Sequence, residues 1–288
     1  LIGTNLAGVD IIGTVASADP LWILVALVAF ALSYLGAAWG LVGFVPETVS
    51  LRRVFTAQVA LGFVRLIAPS TLGIAALNTR LLTRMRIPLP SAAASVAASQ
   101  AAAFIVSVPL IVVLGLLTGR QVDFGISLST IAVAVGAVVL TAAVVLWLVP
   151  AVRTRAARAW RSFVERGLPR LLDAVQDPMR LAMGLGGNLL LTLGYGVALY
   201  ASVQAVGAEF GIATATLIYV SGNAVGSIVP TPGGLGAVEA ALAAGLTAAG
   251  VPGAEAFSAV LVFRLISFWL PIPVGWLAWN RLQRAGAL

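Results

Sequence analysis

Pro230-Thr231-Pro232-Gly233-Gly234-Leu235-Gly236 lies between two apolar segments, residues 212–229 and 234–250. Prolines and glycines at this density break a helix that would otherwise run through them. In hydrocarbon, a broken backbone leaves N–H and C=O groups without partners. Such a break survives only where protein buries it or where it lines a polar cavity. Breaks of this kind near the bilayer midplane are where transporters build substrate sites.

The rest of the chain shows why hydrocarbon is the relevant solvent. Of 288 residues, 60% are hydrophobic and 9% charged, and mean hydropathy is +1.06. Long apolar runs at these values specify an all-α polytopic membrane protein. Cysteine and histidine are both absent, which removes disulfide and thiol chemistry, the usual general base and the commonest metal ligand. No phosphate-binding loop, dinucleotide fingerprint or serine elbow occurs, and the acids form no close pair inside a span. We therefore expect no enzyme activity, no metal and no cofactor. All 17 basic residues are arginine. They cluster in a few loops, which fits membrane orientation better than nucleic-acid binding.

Arginine placement sets the expected topology, with the arginine-rich side cytoplasmic. Residues 20–45 form the first span. The segment 54–79 is flanked by Arg52 and Arg53 on one side and by Arg80, Arg84 and Arg86 on the other, and Ala68-Pro69-Ser70-Thr71-Leu72-Gly73 interrupts it. It is too short to cross twice as helix, so a re-entrant hairpin is expected, with one full crossing against the positive-inside bias as the alternative. Residues 91–118 cross outward and 126–150 return. The arginine-rich stretch 151–180 reads as an amphipathic linker at the headgroups. Residues 181–206 cross outward, and 254–280 cross last, ending at Arg281 and Arg284. The segment 212–250 must then start and finish outside, as two half-spans or as two short complete ones. The expectation is about seven membrane segments including two broken or re-entrant helical pairs. The two breaks share Pro-x-x-Leu-Gly, at Pro69–Gly73 and Pro232–Gly236, and are approached from opposite sides. An inverted repeat has that arrangement. Its halves would be 20–150 and 181–284, within a single domain spanning 1–288. Because residue 1 is leucine, the chain reads as processed or as part of a longer polypeptide.

Several residues are candidates for lipid contact. Ser70 or Thr71 would cap a helix running through Asn78, and Gly233 and Gly234 would open one running through Glu239. Two helix N-termini near the midplane would suit an anion such as a lipid phosphate, although glycines also serve close helix packing. Arg65, Glu239 and Arg264 lie inside apolar sequence and Arg80 near its edge, where charge needs a cavity or a partner. A Glu239–Arg264 pair is one reading, structural or functional. Arg65, four residues before Pro69, lacks an acid in its own segment and is a candidate for phosphate. Asn223, seven residues before Pro230, is placed to line a cavity. The candidate lipid-binding set is completed by Pro230, Thr231, Pro232 and Gly236.

The run Pro230-Thr-Pro-Gly-Gly-Leu-Gly-Ala-Val-Glu239, with Gly250 and Val262-Phe-Arg264 downstream, resembles the signature of the lysylphosphatidylglycerol synthase transmembrane region, a flippase-like family. Trp39, Pro69-x-x-x-Gly73 and Asn78-Thr-Arg80-Leu-Leu agree with it. The resemblance implies a multi-pass protein of the bacterial inner membrane that moves phospholipid between leaflets, with a fused or partner lipid-modifying enzyme. It leaves the lipid open. An anionic or aminoacylated phospholipid is the first expectation and a polyprenyl-phosphate-linked sugar the second. A membrane anchor without transport is the third.

Overall fold

The structure is a computed structural model. It describes residue 13 and residues 17–64, 70–119, 177–228 and 234–284, with isolated positions between 154 and 176 (backbone alone for 70–72 and 225–228). Arg65, Pro69, Pro230, Thr231, Pro232 and Gly233 lie outside the described residues. So do the expected span 126–150, nearly all of the amphipathic linker and most of residues 1–19.

The described residues are helical. In chain order they form α1 (Pro20–Val42), α2 (Leu51–Val64), α3 (Ser70–Arg84), α4 (Leu89–Thr118), α5 (Pro178–Ala205), α6 (Ile212–Ile228), α7 (Ala237–Ala248), α8 (Gly253–Arg264), a π-helical segment (Leu265–Trp269) and α9 (Pro271–Arg284). Among the described residues, four stretches are long and apolar enough to cross a membrane: Pro20–Val42, Leu89–Thr118, Pro178–Ala205 and Gly253–Arg284. Their exposed faces carry large apolar side chains, such as Phe104, Leu116 and Leu117 on α4. In lipid this is the preferred surface.

The order long helix, two short helices, long stretch occurs twice. Both leading helices begin alike. Asp19 before Pro20 accepts from the Leu21 N–H, and Asp177 before Pro178 accepts from the Met179 and Arg180 N–H groups. An aspartate cap followed by proline at the first helical position is a strong helix start. Both short-helix pairs also end alike. Arg86 (φ 66°) and Gly250 (φ 103°) turn the chain left-handed. The Ile87 N–H then reaches the Leu82 carbonyl and the Val251 N–H reaches the Leu246 carbonyl. This is a Schellman closure. Pro88 and Pro252 follow as N-caps of α4 and α8, with nearly equal backbone angles.

The two leading helices run in opposite directions. The Asp19 N–H donates to the Ala205 carbonyl, Trp22 meets Tyr200 and Phe30 meets Tyr195. At the far end, Arg180 donates to the Val45 carbonyl. Their seam is built on small residues. A Cβ on Gly36 would lie 2.5 Å from the Leu191 nitrogen, and one on Gly194 would lie 2.8 Å from the Ala29 carbonyl oxygen. Membrane helices lack a hydrophobic drive toward one another and associate through such close backbone contact.

The short pairs are antiparallel hairpins. In the first, Gln58 Nε2 donates to Asn78 Oδ1 at 3.0 Å, and Ala57 and Ala60 pack with Leu81. In the second, Gly222 faces Leu242 and Gly245 faces Ile218. Arms of 14 and 15 residues reach about 21 and 23 Å at ~1.5 Å per residue. That is less than the roughly 30 Å of a hydrocarbon core. The first hairpin leaves both outer ends, Arg52–Arg53 and Arg84–Arg86, together with Arg180 and Arg281–Arg284. The second has its outer ends beside Ala205 and Val251, at the opposite side of the molecule.

The Pro-x-x-Leu-Gly likeness does not survive as shared local geometry. Gly73 lies inside α3, whereas Gly236 is the N-cap of α7. The second helix therefore begins at Ala237, later than an opening at Gly233–Gly234 would place it. The cause is backbone conformation: Gly234 (φ 70°) and Gly236 (φ 84°) lie outside helical space. Ser70 and Thr71, one or the other expected as a cap, are instead the first two helical residues of α3.

Candidate functional site: a mid-span ion pair between two hairpin ends

Arg264 sits near the middle of the last membrane stretch, at the end of α8. It is 8% exposed. Its Nε donates to Glu239 Oε1 at 2.6 Å, and its guanidinium carbon stands 4.6 Å from the centre of the Phe268 ring. Both contacts suit a cation removed from water. Glu239, in the first turn of α7, has a second role. Its Oε2 accepts from the Gly236 N–H at 2.7 Å, occupying the donor-rich start of the helix with a negative charge. One carboxylate thus neutralises a buried arginine and caps its own helix.

The backbone beneath the pair is irregular for a reason. The π segment Leu265–Trp269 widens the helix by one residue per turn, and Leu270 donates to the Leu265 carbonyl at 2.8 Å. Pro271, which has no N–H to give, follows directly. Short π segments recur at functional sites. An aromatic cluster supports the region: Tyr195 and Tyr219 stack at 5.1 Å, and both meet Phe263, the neighbour of Arg264, edge-on.

The first hairpin reaches the same level from the other side. A Cβ on Gly62, near the inner end of α2, would lie 2.8 Å from Pro271 Cβ and 2.9 Å from Tyr34 Oη. The inner end of the second hairpin meets the last stretch at Arg264, and that of the first meets it at Pro271. Those positions are separated by seven residues, on the order of 10 Å along a helix at ~1.5 Å per residue.

The structure brings Gly234, Gly236, Glu239 and Arg264 into this cluster. It does not bring Asn78, whose amide oxygen is bonded to Gln58 within the first hairpin. Arg80 and Asn223 are exposed, on α3 and α6. Among the described residues no group of His, Cys, Asp and Glu could hold a metal ion. Two partners of candidate residues were not anticipated. Phe268 lies one helical turn beyond Arg264, a spacing that brings side chains together. Gln58 is a polar residue in an apolar helix, and such residues seek a partner across helices.

Comparison with known proteins places this geometry in context. The family described as lysylphosphatidylglycerol synthase TM region matches residues 4–275. A UPF0104 membrane protein of Methanothermobacter thermautotrophicus (strain Delta H) is 38% identical over 77 residues. That match covers 27% of this chain and 23% of the archaeal protein.

Proposed function

We propose, for a chain that belongs to the lysylphosphatidylglycerol synthase TM-region family, that it translocates an anionic or aminoacylated phospholipid between membrane leaflets. One observation carries the reading: two hairpins that start at opposite ends of the molecule reach the last membrane stretch within a few turns of each other, at the buried Glu239–Arg264 pair. A headgroup crossing hydrocarbon needs polar partners at the depth where lipid offers none. Arg264 supplies a cation there, and Glu239 keeps it neutral while no phosphate is bound. A lipid phosphate would take the place of the Glu239 carboxylate on Arg264, as one charge-assisted bond exchanges for another. The sequence between the arms of the two hairpins carries Arg65 and the Pro230–Gly233 run, further candidates for the phosphate. The arginine-rich end is cytoplasmic in this reading, and the membrane is the bacterial inner membrane. A lipid-modifying enzyme, fused or separate, would supply the lipid.

The test is lipid movement by the purified chain in vesicles carrying fluorescent phosphatidylglycerol, followed by quenching of the outer leaflet. The protein should raise the rate above that of empty vesicles. Glu239→Gln and Arg264→Gln should each lower it at least tenfold. Gly186→Ala, at a position with open space around it, should leave it unchanged. A rate equal to that of empty vesicles, for anionic and aminoacylated lipids alike, would overturn translocation and favour an anchoring role.

A further inference from the structure

A second lipid-facing feature lies apart from the ion pair. α2 and α9 run antiparallel, since Gly62 abuts Pro271 and Gly275 abuts Val59 and Phe63. Their outer ends therefore coincide: Arg52 and Arg53 open α2 where Arg281 and Arg284 close α9. Between the two helices runs an open groove of about 250 Å³, lined by Phe55, Thr56, Val59, Val274, Leu277 and Arg281. Apart from Arg281 and the Thr56 hydroxyl, which is turned back to the Arg52 carbonyl at 2.8 Å, the named lining side chains are apolar.

Positive charge gathers at the outer end. Arg52, Arg53, Arg281 and Arg284 are all exposed, and among the described residues none forms an ion pair. Arg52 and Arg53 also occupy the first turn of α2, which contains no acid. A cation there opposes the helix dipole. An anion at this end would offset both the dipole and the mutual repulsion of the arginines. The groove that leads to it is open and mostly apolar. Tail and head chemistry together match one occupant.

We propose that this groove is a resident site for an anionic phospholipid of the arginine-side leaflet. An acyl chain lies along Val59, Val274 and Leu277, and the phosphate sits among the arginines. Because α2 belongs to the first half of the repeat and α9 to the second, the lipid would tie the halves together. The proposal does not depend on translocation. It also differs from general attraction of a basic surface to an anionic leaflet, because it requires the groove.

The experiment compares thermal unfolding of the full chain in nanodiscs of phosphatidylcholine alone and with added phosphatidylglycerol, alongside native mass spectrometry of retained lipid. Phosphatidylglycerol should raise the midpoint and be retained at about one molecule per chain. The double variant Arg52→Gln/Arg281→Gln should lose the gain and retain at least tenfold less lipid. Val59→Trp, which fills the groove but keeps every charge, should do the same. Arg84→Gln/Arg86→Gln removes the same charge from the same end, outside the groove lining, and should keep both effects. Equal loss in that control would reduce the effect to surface charge and overturn the site. An unchanged gain in Val59→Trp would also overturn it, as would inorganic phosphate reproducing the gain in phosphatidylcholine.

Discussion

Glu239 holds Arg264 at 2.6 Å across two helices that are joined only by the turn between Ala248 and Gly253. Both side chains are largely shielded, at 19% and 9% exposure. Removing one partner of such a pair strands the other charge and costs about 3–5 kcal/mol, whereas removing both is far less costly. Glu239→Gln or Arg264→Gln alone should therefore lower stability by about 3 kcal/mol. The double variant should be more stable than Glu239→Gln. Thermal unfolding of the four proteins completes the cycle. Additive losses would mean that the two groups do not act as a pair.

The seam between α1 and α5 gives a sharper steric test. A methyl on Gly36 meets backbone, 2.5 Å from the Leu191 nitrogen and 2.7 Å from the Gly187 carbonyl oxygen. Backbone cannot rotate aside as a side chain can, so Gly36→Ala must push the helices apart and lose contacts along the seam. We expect a loss of at least 2 kcal/mol, in the range of overpacked sites. Gly186→Ala, on the same helix pair with nothing within 4 Å, should be neutral or stabilising, because alanine favours helix by about 1 kcal/mol. Comparable unfolding midpoints for the two variants would refute the seam.

Much of this was legible in the sequence because membranes simplify the code. The spans expected at 20–45, 91–118, 181–206 and 254–280 correspond to helices beginning at Pro20, Leu89 and Pro178 and to the stretch Gly253–Arg284. Apolar length alone reads these out. The Glu239–Arg264 pair was legible for the same reason, since charge in hydrocarbon demands a partner. The role of Glu239 as a cap was not, because glycine at an N-cap gives no side-chain signal. Nor was the π segment, since widening by one residue leaves the apolar composition unchanged. The shared Leu-Gly of the two breaks does not mark equivalent positions, since Gly73 lies inside α3 and Gly236 is the N-cap of α7. The better marks were the Asp-Pro starts and the left-handed closures before Pro88 and Pro252, which are separated from the breaks.

Asn78 was a candidate for lipid contact and is hydrogen-bonded to Gln58 at 3.0 Å. This bond joins the arms of the first hairpin and is partly buried. Interhelical bonds in membrane proteins average about 0.6 kcal/mol, with a maximum near 1.7. Asn78→Leu and Gln58→Leu should each cost about that much, and the double variant no more than the worse single one. A full loss of lipid movement in Asn78→Leu, at unchanged stability, would return the residue to the lipid path.

The hairpin geometry fixes which positions share a side. Arg53, Arg84 and Arg284 lie at one end of the molecule, and the exposed Glu209 follows α5 at the other. The chain contains no cysteine, so single substitutions to cysteine report cleanly. In intact cells or oriented vesicles, Arg53→Cys, Arg84→Cys and Arg284→Cys should react with an impermeant maleimide from one face, and Glu209→Cys from the other. Labelling of Arg53→Cys and Arg84→Cys from opposite faces would exclude a re-entrant first hairpin.

Gly236 separates backbone strain from crowding. Its φ of 84° and ψ of −49° lie near the γ-turn region, which is strained for any residue with a side chain. Yet a Cβ there would meet nothing within 4 Å. Gly234, with φ 70°, would in addition place its Cβ 2.7 Å from Val238 Cγ2. Gly236→Ala should therefore cost about 1–3 kcal/mol, the usual range for held strain, and Gly234→Ala somewhat more. Strain at Gly236 acts directly on the Gly236 N–H that binds Glu239 Oε2, so it should also loosen the carboxylate from the helix start. Gly236→Ala should then weaken the coupling measured between Glu239 and Arg264, whereas Gly253→Ala, at an unhindered helix start, should not. An unaltered coupling energy in Gly236→Ala would show that the cap and the ion pair are independent.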